Sequence, residues 1–349
     1  MRGLMDQINT WGASGVPVAI ATNVRMRGSG LRPLGAKMAV AESNDFVGSV
    51  SGGCIEGAVI ESACAVLKSG QPKLLYFGVN DDTRPWDIGL TCGTSLEVLV
   101  EPLASANWQT VFADLVQDLQ AHIPCALVTV ISRQKLGRKL LITDQGIQSG
   151  SLGSDSHDQQ AFAWAQGQLR VNSSSKKTID GVDLFLDIFP PPARLVVIGA
   201  VHVAIPLVKM ASLMGFQTIV IDPRSAFAKS EGFPQVDRML VEWPQDALPI
   251  LNLDQGTYVV ALSHDDKLDN PALAIALQSE ARYVGVIGAR TNIPKRKDIL
   301  REMGVSDDQL DRLHAPVGLP IGAIEPQEIA ISILAEIIAA KYRVDNLNQ

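Results

Sequence analysis

The amino-acid sequence predicts an α/β protein with two domains, a mixed α/β domain and then a doubly wound parallel sheet. After residue 194, apolar β-branched runs alternate with helical patterns, which is typical of parallel strands covered on both faces. Before residue 190 the alternation is less regular, and the proline run at 190–192 forms a stiff extended linker. A chain of 349 residues can bury two separate cores. We therefore place the domains at 1–189 and 190–349.

The first domain is predicted to mix short strands with helices. We expect strands at 17–22, 37–41, 46–50, 73–77, 96–100, 126–132 and 182–189, and helices at 55–68 and 108–121. The stretch 149–177 is rich in serine, aspartate and glutamine, so a polar variable region is expected there, with a short helical patch around 162–165. No internal repeat is apparent in the sequence.

The second domain is predicted to begin with a βαβ unit of the kind that binds dinucleotides. Strands are expected at 195–198, 218–221, 258–262 and 283–287, and a helix at 201–213. Gly199 makes the first strand-to-helix turn, and Asp222 ends the second strand, where an acidic residue would hold a ribose. Val201 stands where the fingerprint has its middle glycine and would obstruct a pyrophosphate. A Rossmann-type fold is therefore expected, whereas NAD(P) binding is not.

Composition and charge exclude several classes of function. A formal net charge of −7 argues against nucleic acid as the main partner. No apolar run reaches membrane-spanning length, and no signal peptide is apparent after Met1. Four cysteines without a C-x-x-C pair are not a disulfide framework, so we expect a reducing, cytoplasmic location.

The segment 48–57 places a cysteine in a glycine-rich turn between a predicted strand and a predicted helix. Ser51, Gly52 and Gly53 would let a ligand approach the backbone closely. Cys54 would lie at the helix N-terminus, where free N–H groups and the helix dipole favour a thiolate. Such a turn suits an anionic ligand that carries sulfur or phosphate. The alternative interpretation is a tight turn with a packed cysteine.

The other cysteines differ in their surroundings. Cys92-Gly93 lies in a second glycine-containing turn, just before a strand, and is a further candidate for ligand binding. Cys64 lies within a predicted helix and Cys125 beside an apolar strand, so both are expected in the core.

Polar side chains are expected near the carboxyl ends of the parallel strands, where ligands bind in such sheets. His264 follows one strand, Arg290 follows another, and His202 follows the first glycine turn. The basic run 295–297 is expected to form a solvated helix face. The histidines show no zinc-ligand spacing, and no set of acid, base and nucleophile is recognisable. The sequence therefore favours a binding protein and leaves open whether the chain is an enzyme.

Several motifs together resemble the XdhC/CoxI family, accessory proteins for molybdenum hydroxylases such as xanthine dehydrogenase. In the first domain the matching segments are GSGLRPLGAKM at 28–38, GSVSGGCIEG at 48–57 and LTCGTSLEV at 90–98. In the second they are VIGAVHVA at 197–204, SHD at 263–265, YVGVIGAR at 283–290 and HAPVGLPIGA at 314–323. The resemblance implies an XdhC/CoxI-type α/β domain followed by a Rossmann-like domain.

The resemblance also implies a function. It implies a homodimeric protein that binds molybdenum cofactor (molybdopterin) and protects it while a cysteine desulfurase installs its terminal sulfur. The protein would then deliver the cofactor to the apoenzyme of a molybdenum hydroxylase. The candidate cofactor-binding residues are Ser51, Gly52, Gly53, Cys54, Glu56, Cys92, Gly93, Gly199, His202, Asp222, His264 and Arg290. Of these, Cys54 is the candidate contact to molybdenum, since a thiolate is a soft ligand.

Two positions depart from the family pattern, which usually has glycine where this chain has Thr94 and Val201. Both substitutions would narrow or alter a ligand site. The alternative function is an NAD(P)-dependent oxidoreductase that uses the second domain. The interrupted glycine fingerprint and the missing acid–base set count against it.

Overall fold

The polypeptide divides at the proline run into two units, Met1–Pro191 and Pro192–Gln349. The computed structural model describes residues 1–28, 32–78, 95–227 and 232–342. The N-terminal unit is built on antiparallel sheets and the C-terminal unit on a parallel sheet.

Among the described residues, the N-terminal unit contains two sheets of five strands each. The first sheet, in the order β3-β2-β1-β5-β4, consists of β1 (Val18–Arg27), β2 (Lys37–Ala41), β3 (Phe46–Gly48), β4 (Lys73–Phe77) and β5 (Ser95–Pro102). The second, in the order β8-β7-β6-β10-β9, consists of β6 (Cys125–Val130), β7 (Lys139–Thr143), β8 (Gly146–Gly150), β9 (Ser175–Ile179) and β10 (Val182–Phe189). The helices of this unit are α1 (Met5–Ala13), α2 (Glu56–Ser69), α3 (Ala106–Gln109), α4 (Phe112–Gln120) and α5 (Asp155–Val171).

The two sheets share one apolar layer, and a helix covers the other face of each. Ile8 of α1 and Leu115 of α4 join Ile20 of β1 and Leu127 of β6 in the shared layer. The apolar side of α2 packs on the other face of the first sheet, and that of α5 on the other face of the second. Both faces of each sheet are therefore buried, which explains why strands such as β2 and β6 are apolar without alternation.

The two sheets repeat one topology. Each copy has three neighbouring strands, then a helix, then two further strands, and the first strand lies at the centre of the sheet. The registers agree as well, since Thr22 is paired with Lys37 in the first copy and Thr129 with Lys139 in the second. The N-terminal unit is therefore a structural duplication, although no repeat is apparent in the sequence.

Both copies have a glycine at the end of the third strand. Gly48 ends β3 and Gly150 ends β8, with φ values of 85° and 84°. A Cβ atom at either position would overlap the backbone carbonyl of Lys37 or Lys139 on the neighbouring strand. Only glycine fits the positive φ and the close approach, so each copy keeps it.

Two buried ion pairs cross from one sheet to the other. Lys37 contacts Asp187 of the second sheet, and Nζ of Lys139 lies 2.8 Å from Oε2 of Glu101 in the first sheet. The four side chains are at most 7% exposed. Burial lowers the pKa of Lys139, and the neighbouring Glu101 offsets this only in part. Each copy thus supplies the countercharge that the lysine of the other copy needs.

In the described part of the C-terminal unit, six parallel strands form one sheet in the order β13-β12-β11-β14-β15-β16. They are β11 (Arg194–Ile198), β12 (Gln217–Ile221), β13 (Arg238–Leu240), β14 (Thr257–Ala261), β15 (Tyr283–Val286) and β16 (Leu313–His314). The helices are α6 (Ala204–Leu213), α7 (Pro244–Ile250), α8 (Asp266–Gln278), α9 (Ile293–Glu302), α10 (Asp307–Leu310) and α11 (Pro326–Tyr342). An apolar core lies on each face of the sheet. This strand order is that of the doubly wound fold predicted from the sequence.

Two expectations about the N-terminal unit are corrected. The polar stretch 149–177, expected to hold only a short helix, contains the whole of α5 and the start of β9. Its polarity reflects the exposed side of α5, because one side of this helix faces the sheet. Cys64, expected in the core, is only half-buried, and its Sγ lies 2.9 Å from Oδ1 of Asn44. Cys125 is buried, as expected.

We expect Glu101→Gln to destabilise the protein by about 3–5 kcal/mol, because it leaves the buried Lys139 without its countercharge. The double variant Glu101→Gln with Lys139→Met should recover most of this loss, since both charges are then absent. Urea unfolding followed by circular dichroism measures the free energy of unfolding.

The matched control is Lys176→Met, which removes the more exposed Lys176–Asp183 pair of the second sheet. Its cost should be below about 1 kcal/mol. If Glu101→Gln and Lys176→Met lowered the free energy of unfolding equally, burial would not be the reason why the Lys139–Glu101 pair matters.

Candidate functional site

The turn between β3 and α2 is built around one carboxylate. Glu56, the first residue of α2, accepts hydrogen bonds on both oxygens from within the turn. The hydroxyls of Ser49 and Ser51 donate at 2.5 and 2.6 Å, and the N–H groups of Ser51 and Gly53 each donate at 2.9 Å. Further N–H groups donate at 3.1–3.2 Å from Val50, Gly52 and Ile55.

These donors determine the charge of Glu56. Burial by itself would raise its pKa, but the hydrogen bonds from Ser49 and Ser51 and from the backbone lower the pKa far below the ordinary value of 4.5. The side chain is therefore a carboxylate at neutral pH. Its negative charge lies at the N-terminus of α2, where the helix dipole stabilises an anion.

The backbone N–H groups of this turn have a different acceptor from the one that the sequence predicts. The sequence predicts that the N–H groups of Ser51, Gly52 and Gly53 hold an anion of the ligand. In the structure all three donate to Glu56, which is itself buried. The protein's own carboxylate thus takes the place expected for a ligand anion, and Glu56 organises the turn from inside.

Cys54 is an exposed residue of this turn. Its N–H donates to Oγ of Ser51 at 3.1 Å, and its thiol is free and exposed. The two preceding residues, Gly52 and Gly53, have φ values of 97° and 119°, which residues with a Cβ rarely adopt. The glycines let the chain leave the helical path immediately before Cys54.

The second copy shows the same turn without these glycines. After β8, Asp158 occupies the place of Glu56 and accepts hydrogen bonds from the hydroxyl of Ser151 at 2.8 Å and the N–H of Leu152 at 2.7 Å. The carboxylate at the helix N-terminus is therefore common to both copies.

The helix starts differ between the two copies. In the second copy Ser154 caps α5, which begins at Asp155, so that Ser156 lies in the first helical turn. Ser156 is the residue equivalent to Cys54, counted from the last glycine of β3 or β8. In the first copy, glycines replace the helical turn and Cys54 lies outside the helix. The first copy thus presents a thiol outside the helix, where the second has an exposed serine within the first helical turn.

The second cysteine turn lies outside the described residues, since Cys92 and Gly93 fall in the stretch 79–94. Within the ranges that the structure describes, no three His, Cys, Asp or Glu side chains converge to hold a metal ion. The described helices include none that combines the length and the apolar character needed to cross a bilayer.

Gly199 and Asp222 take part in packing within the C-terminal unit. Gly199 has a φ of 100°, and a Cβ there would lie 2.8 Å from the Ser263 backbone. Oδ2 of Asp222 accepts the Ala200 N–H at 2.8 Å, and the Arg224 guanidinium binds both carboxylate oxygens at 2.9 and 2.7 Å. Burial would raise the pKa of Asp222, but these donors lower it overall. Its carboxylate is therefore already bound where the sequence expects it to hold a ribose.

The three remaining candidate residues of this unit, His202, His264 and Arg290, are exposed and lie in different places. His264 has a φ of 58° and lines a cavity of about 490 Å³ with Gly288 and Asn292, beyond the ends of β14 and β15. Arg290 lines a neighbouring groove. His202 lies in the turn before α6. The strained backbone of His264 at a strand end is typical of a functional position.

Arg296 is a residue whose place the sequence did not indicate, because a basic run usually forms a solvated helix face. Its side chain is only 14% exposed and lines the same cavity as His264. Its guanidinium lies 3.0 Å from Asp266 and 3.0 Å from Oδ1 of Asn270. The adjacent Asp269 is buried, and burial raises its pKa although Arg296 and Ser263 oppose this.

Comparison with known families agrees with this architecture. The sequence model described as the XdhC and CoxI family matches residues 11–78, and the one described as the XdhC Rossmann domain matches residues 195–337. Together they match more than half of the chain, which belongs to the XdhC/CoxI family. Both the resemblance and the fold class predicted from the sequence are confirmed. The second copy lies outside both matches.

Relatives cover the chain almost end to end. A probable xanthine dehydrogenase subunit of Bacillus subtilis (strain 168) is 26% identical over 93% of this chain and 93% of its own length. The molybdenum cofactor insertion chaperone PaoD of Escherichia coli (strain K12) is 25% identical over 94% of this chain and 85% of its own. A crystal structure described as a xanthine dehydrogenase from Bacillus halodurans is 26% identical, with a TM-score of 0.77 over 99% of this chain and 97% of that one.

We expect Glu56→Gln to lower the free energy of unfolding by about 1–3 kcal/mol, because an amide cannot replace a carboxylate that accepts this many donors. The folded state depresses the pKa of Glu56, so the stabilisation is fully present above the ordinary value of 4.5 and is lost as the pH falls through the folded value. The difference between wild type and variant should therefore be constant near neutral pH and shrink in acid. Urea titrations across this pH range measure it.

Glu61→Gln is the matched control, since Glu61 is an exposed carboxylate on the same helix. It should leave both the stability and its acid dependence unchanged. A Glu56→Gln protein with the stability profile of the Glu61→Gln protein would contradict the organising role of Glu56.

Proposed function

We propose that this chain binds molybdenum cofactor as cargo and delivers it to the apoenzyme of a xanthine dehydrogenase-type molybdenum hydroxylase. Membership of the XdhC/CoxI family supports the proposal. So do the names of two relatives of nearly equal length, a molybdenum cofactor insertion chaperone and a probable xanthine dehydrogenase subunit. On this proposal the chain is a maturation factor for a molybdenum enzyme.

The observation that carries the proposal is the difference between the two copies of the N-terminal unit. Both keep a carboxylate that anchors the turn, whereas only the first departs from a helical start and exposes a thiol at Cys54. Positive φ at Gly52 and Gly53 makes this departure possible. A local conformation that only glycine adopts readily, and that exposes a free thiol, favours a functional role over a packing role.

The chemistry of Cys54 fits such a cargo. Sulfur is a soft ligand and suits a molybdenum centre that is itself bound by sulfur. The turn is held by hydrogen bonds to Glu56, so little order has to be gained when the cargo binds. An exposed single-thiol contact can also exchange its ligand with an incoming enzyme. We therefore assign Cys54 as the contact to molybdenum.

The remaining parts of the proposal rest on the family resemblance. We propose that the cofactor is held while a cysteine desulfurase installs its terminal sulfur, and that the protein acts as a cytoplasmic homodimer. Cys92 and Gly93 are proposed as a second contact of the same kind. His202, His264 and Arg290 are proposed contacts in the C-terminal unit.

We expect Cys54→Ser to reduce retention of molybdopterin by at least about tenfold, since serine keeps the size but lacks the soft sulfur. The protein is purified anaerobically from a host that makes the cofactor, and molybdenum and pterin fluorescence are measured per chain. Cys64→Ser is the control, because Cys64 lies on α2 away from the turn. Equal retention by Cys54→Ser and wild type would refute the ligand role of Cys54, and no pterin in wild type would refute the cargo proposal.

The runner-up, an NAD(P)-dependent oxidoreductase, is disfavoured by the geometry of Asp222. Its carboxylate is bound by Arg224 and Ala200, and Val201 stands in the glycine loop. We expect calorimetric titration with NAD⁺ and NADP⁺ to show no submillimolar binding. Submillimolar affinity that increases in Val201→Gly would revive this alternative.

A further inference from the structure

A histidine, a glutamate and a tyrosine meet at the last strand of the parallel sheet. Tyr283 of β15 is 1% exposed, and its hydroxyl donates to the carboxylate of Glu336 on α11. The same carboxylate accepts the N–H of Gly318 at 2.8 Å. Nδ1 of His314, on β16, lies 3.3 Å from its other oxygen. The three side chains are far apart in sequence, and no local pattern connects them.

The imidazole of His314 is fixed on two sides. Its ring stacks on that of Tyr283, with centroids 4.4 Å apart and planes 29° from parallel. Burial alone would raise the pKa of Glu336, but donors from His314, Tyr283 and Gly318 lower it overall. A carboxylate next to Nδ1 favours the tautomer with the proton on that nitrogen, so Nε2 is the nitrogen left as a hydrogen-bond acceptor.

His314 and Glu336 line a groove of about 1050 Å³. The groove has the volume of a small-molecule site. Its walls are both polar and apolar, and the apolar part includes Ile293, Pro294 and Pro316, which offer flat surfaces to a ring. Arg290, an exposed guanidinium, lines the same groove. The groove therefore combines an oriented acceptor, apolar walls and a cation that suits phosphate.

We propose that this groove binds a flat nitrogen heterocycle that carries a phosphate. Nε2 of His314 accepts a ring N–H, the apolar walls contact the ring faces, and Arg290 binds the phosphate. Glu336 is a positioning residue that holds the imidazole. The inference deepens the proposed function, on which it rests in part, because the pterin phosphate of molybdenum cofactor has this chemistry. A purine nucleotide shares it.

The test titrates the full-length wild-type chain with two probes, isolated molybdopterin under anaerobic conditions and GMP. His314→Phe keeps a ring to stack on Tyr283 but removes the acceptor, and Arg290→Gln removes the cation at an exposed position. Each variant should weaken binding of the probe by about tenfold or more, the value of one good hydrogen bond. Arg238→Gln, on the opposite edge strand β13, is the matched control and should bind as wild type does.

A second readout tests the positioning role of Glu336. In histidine-labelled protein, ¹⁵N–¹H correlation spectra report which ring nitrogen carries the proton. The Nδ1–H form should dominate for His314 in wild type and diminish in Glu336→Gln. An unchanged tautomer in a folded Glu336→Gln protein would overturn this role.

The possible outcomes distinguish failure of the groove proposal from failure of the cargo proposal. Tighter binding of molybdopterin than of GMP, lost in both groove variants, supports a cargo subsite, and the reverse order supports a nucleotide site in the same groove. Molybdopterin bound equally by wild type and variants overturns the groove and leaves the cargo proposal intact. Binding of GMP alone supports the groove and contradicts the cargo proposal. Binding of neither probe overturns the groove and contradicts the cargo proposal as well.

Discussion

The crossed ion pairs are the constraint on which the N-terminal unit depends. Lys37 and Lys139 each lie on one sheet, and Asp187 and Glu101 lie on the other. Packing of the two sheets removes each lysine from water, and a buried lysine without a countercharge is strongly unfavourable. The two copies therefore need each other, and the alignment of one sheet on the other is set by charge as well as by apolar packing. The turn that carries Cys54 follows β3 of the first of these sheets.

A duplicated scaffold lets one copy change while the other keeps the fold. The second copy retains a capped helix start at Ser154, whereas the first gives up the helical turn before Cys54. The buried carboxylate of Glu56 limits the cost of that change, because it satisfies backbone donors that the lost turn leaves free. The conserved carboxylate and the divergent glycines thus have separate roles, one in stability and one in presentation of the thiol.

Local patterns predicted much of this structure. The helix expected at 55–68 spans Glu56–Ser69, and the strand expected at 195–198 spans Arg194–Ile198, because periodicity and glycine punctuation act over a few residues. Contacts between distant residues were missed. The duplication is carried by a few positions, such as the two glycines that end β3 and β8, and nothing local marks them as equivalent. The partners of Asp222 and Glu336 likewise become visible only when the sheet brings them together.

The two candidate sites differ in the same way, since one is a continuous segment and the other is assembled from residues that are distant in sequence. Cys54 could be proposed from the sequence as a candidate site residue because its turn is one continuous segment. The glycines of that segment indicate an unusual backbone conformation. The His314 groove is assembled from the start of α9, β16, the loop that follows β16, and α11. Its chemistry depends on which nitrogen of His314 faces Glu336. One site offers a soft atom on a fixed turn, and the other offers directional hydrogen bonds beside a cation. A thiol suits a soft metal, whereas an oriented imidazole beside a guanidinium suits a ring and a phosphate, so the two sites differ in the ligand atoms that they can recognise.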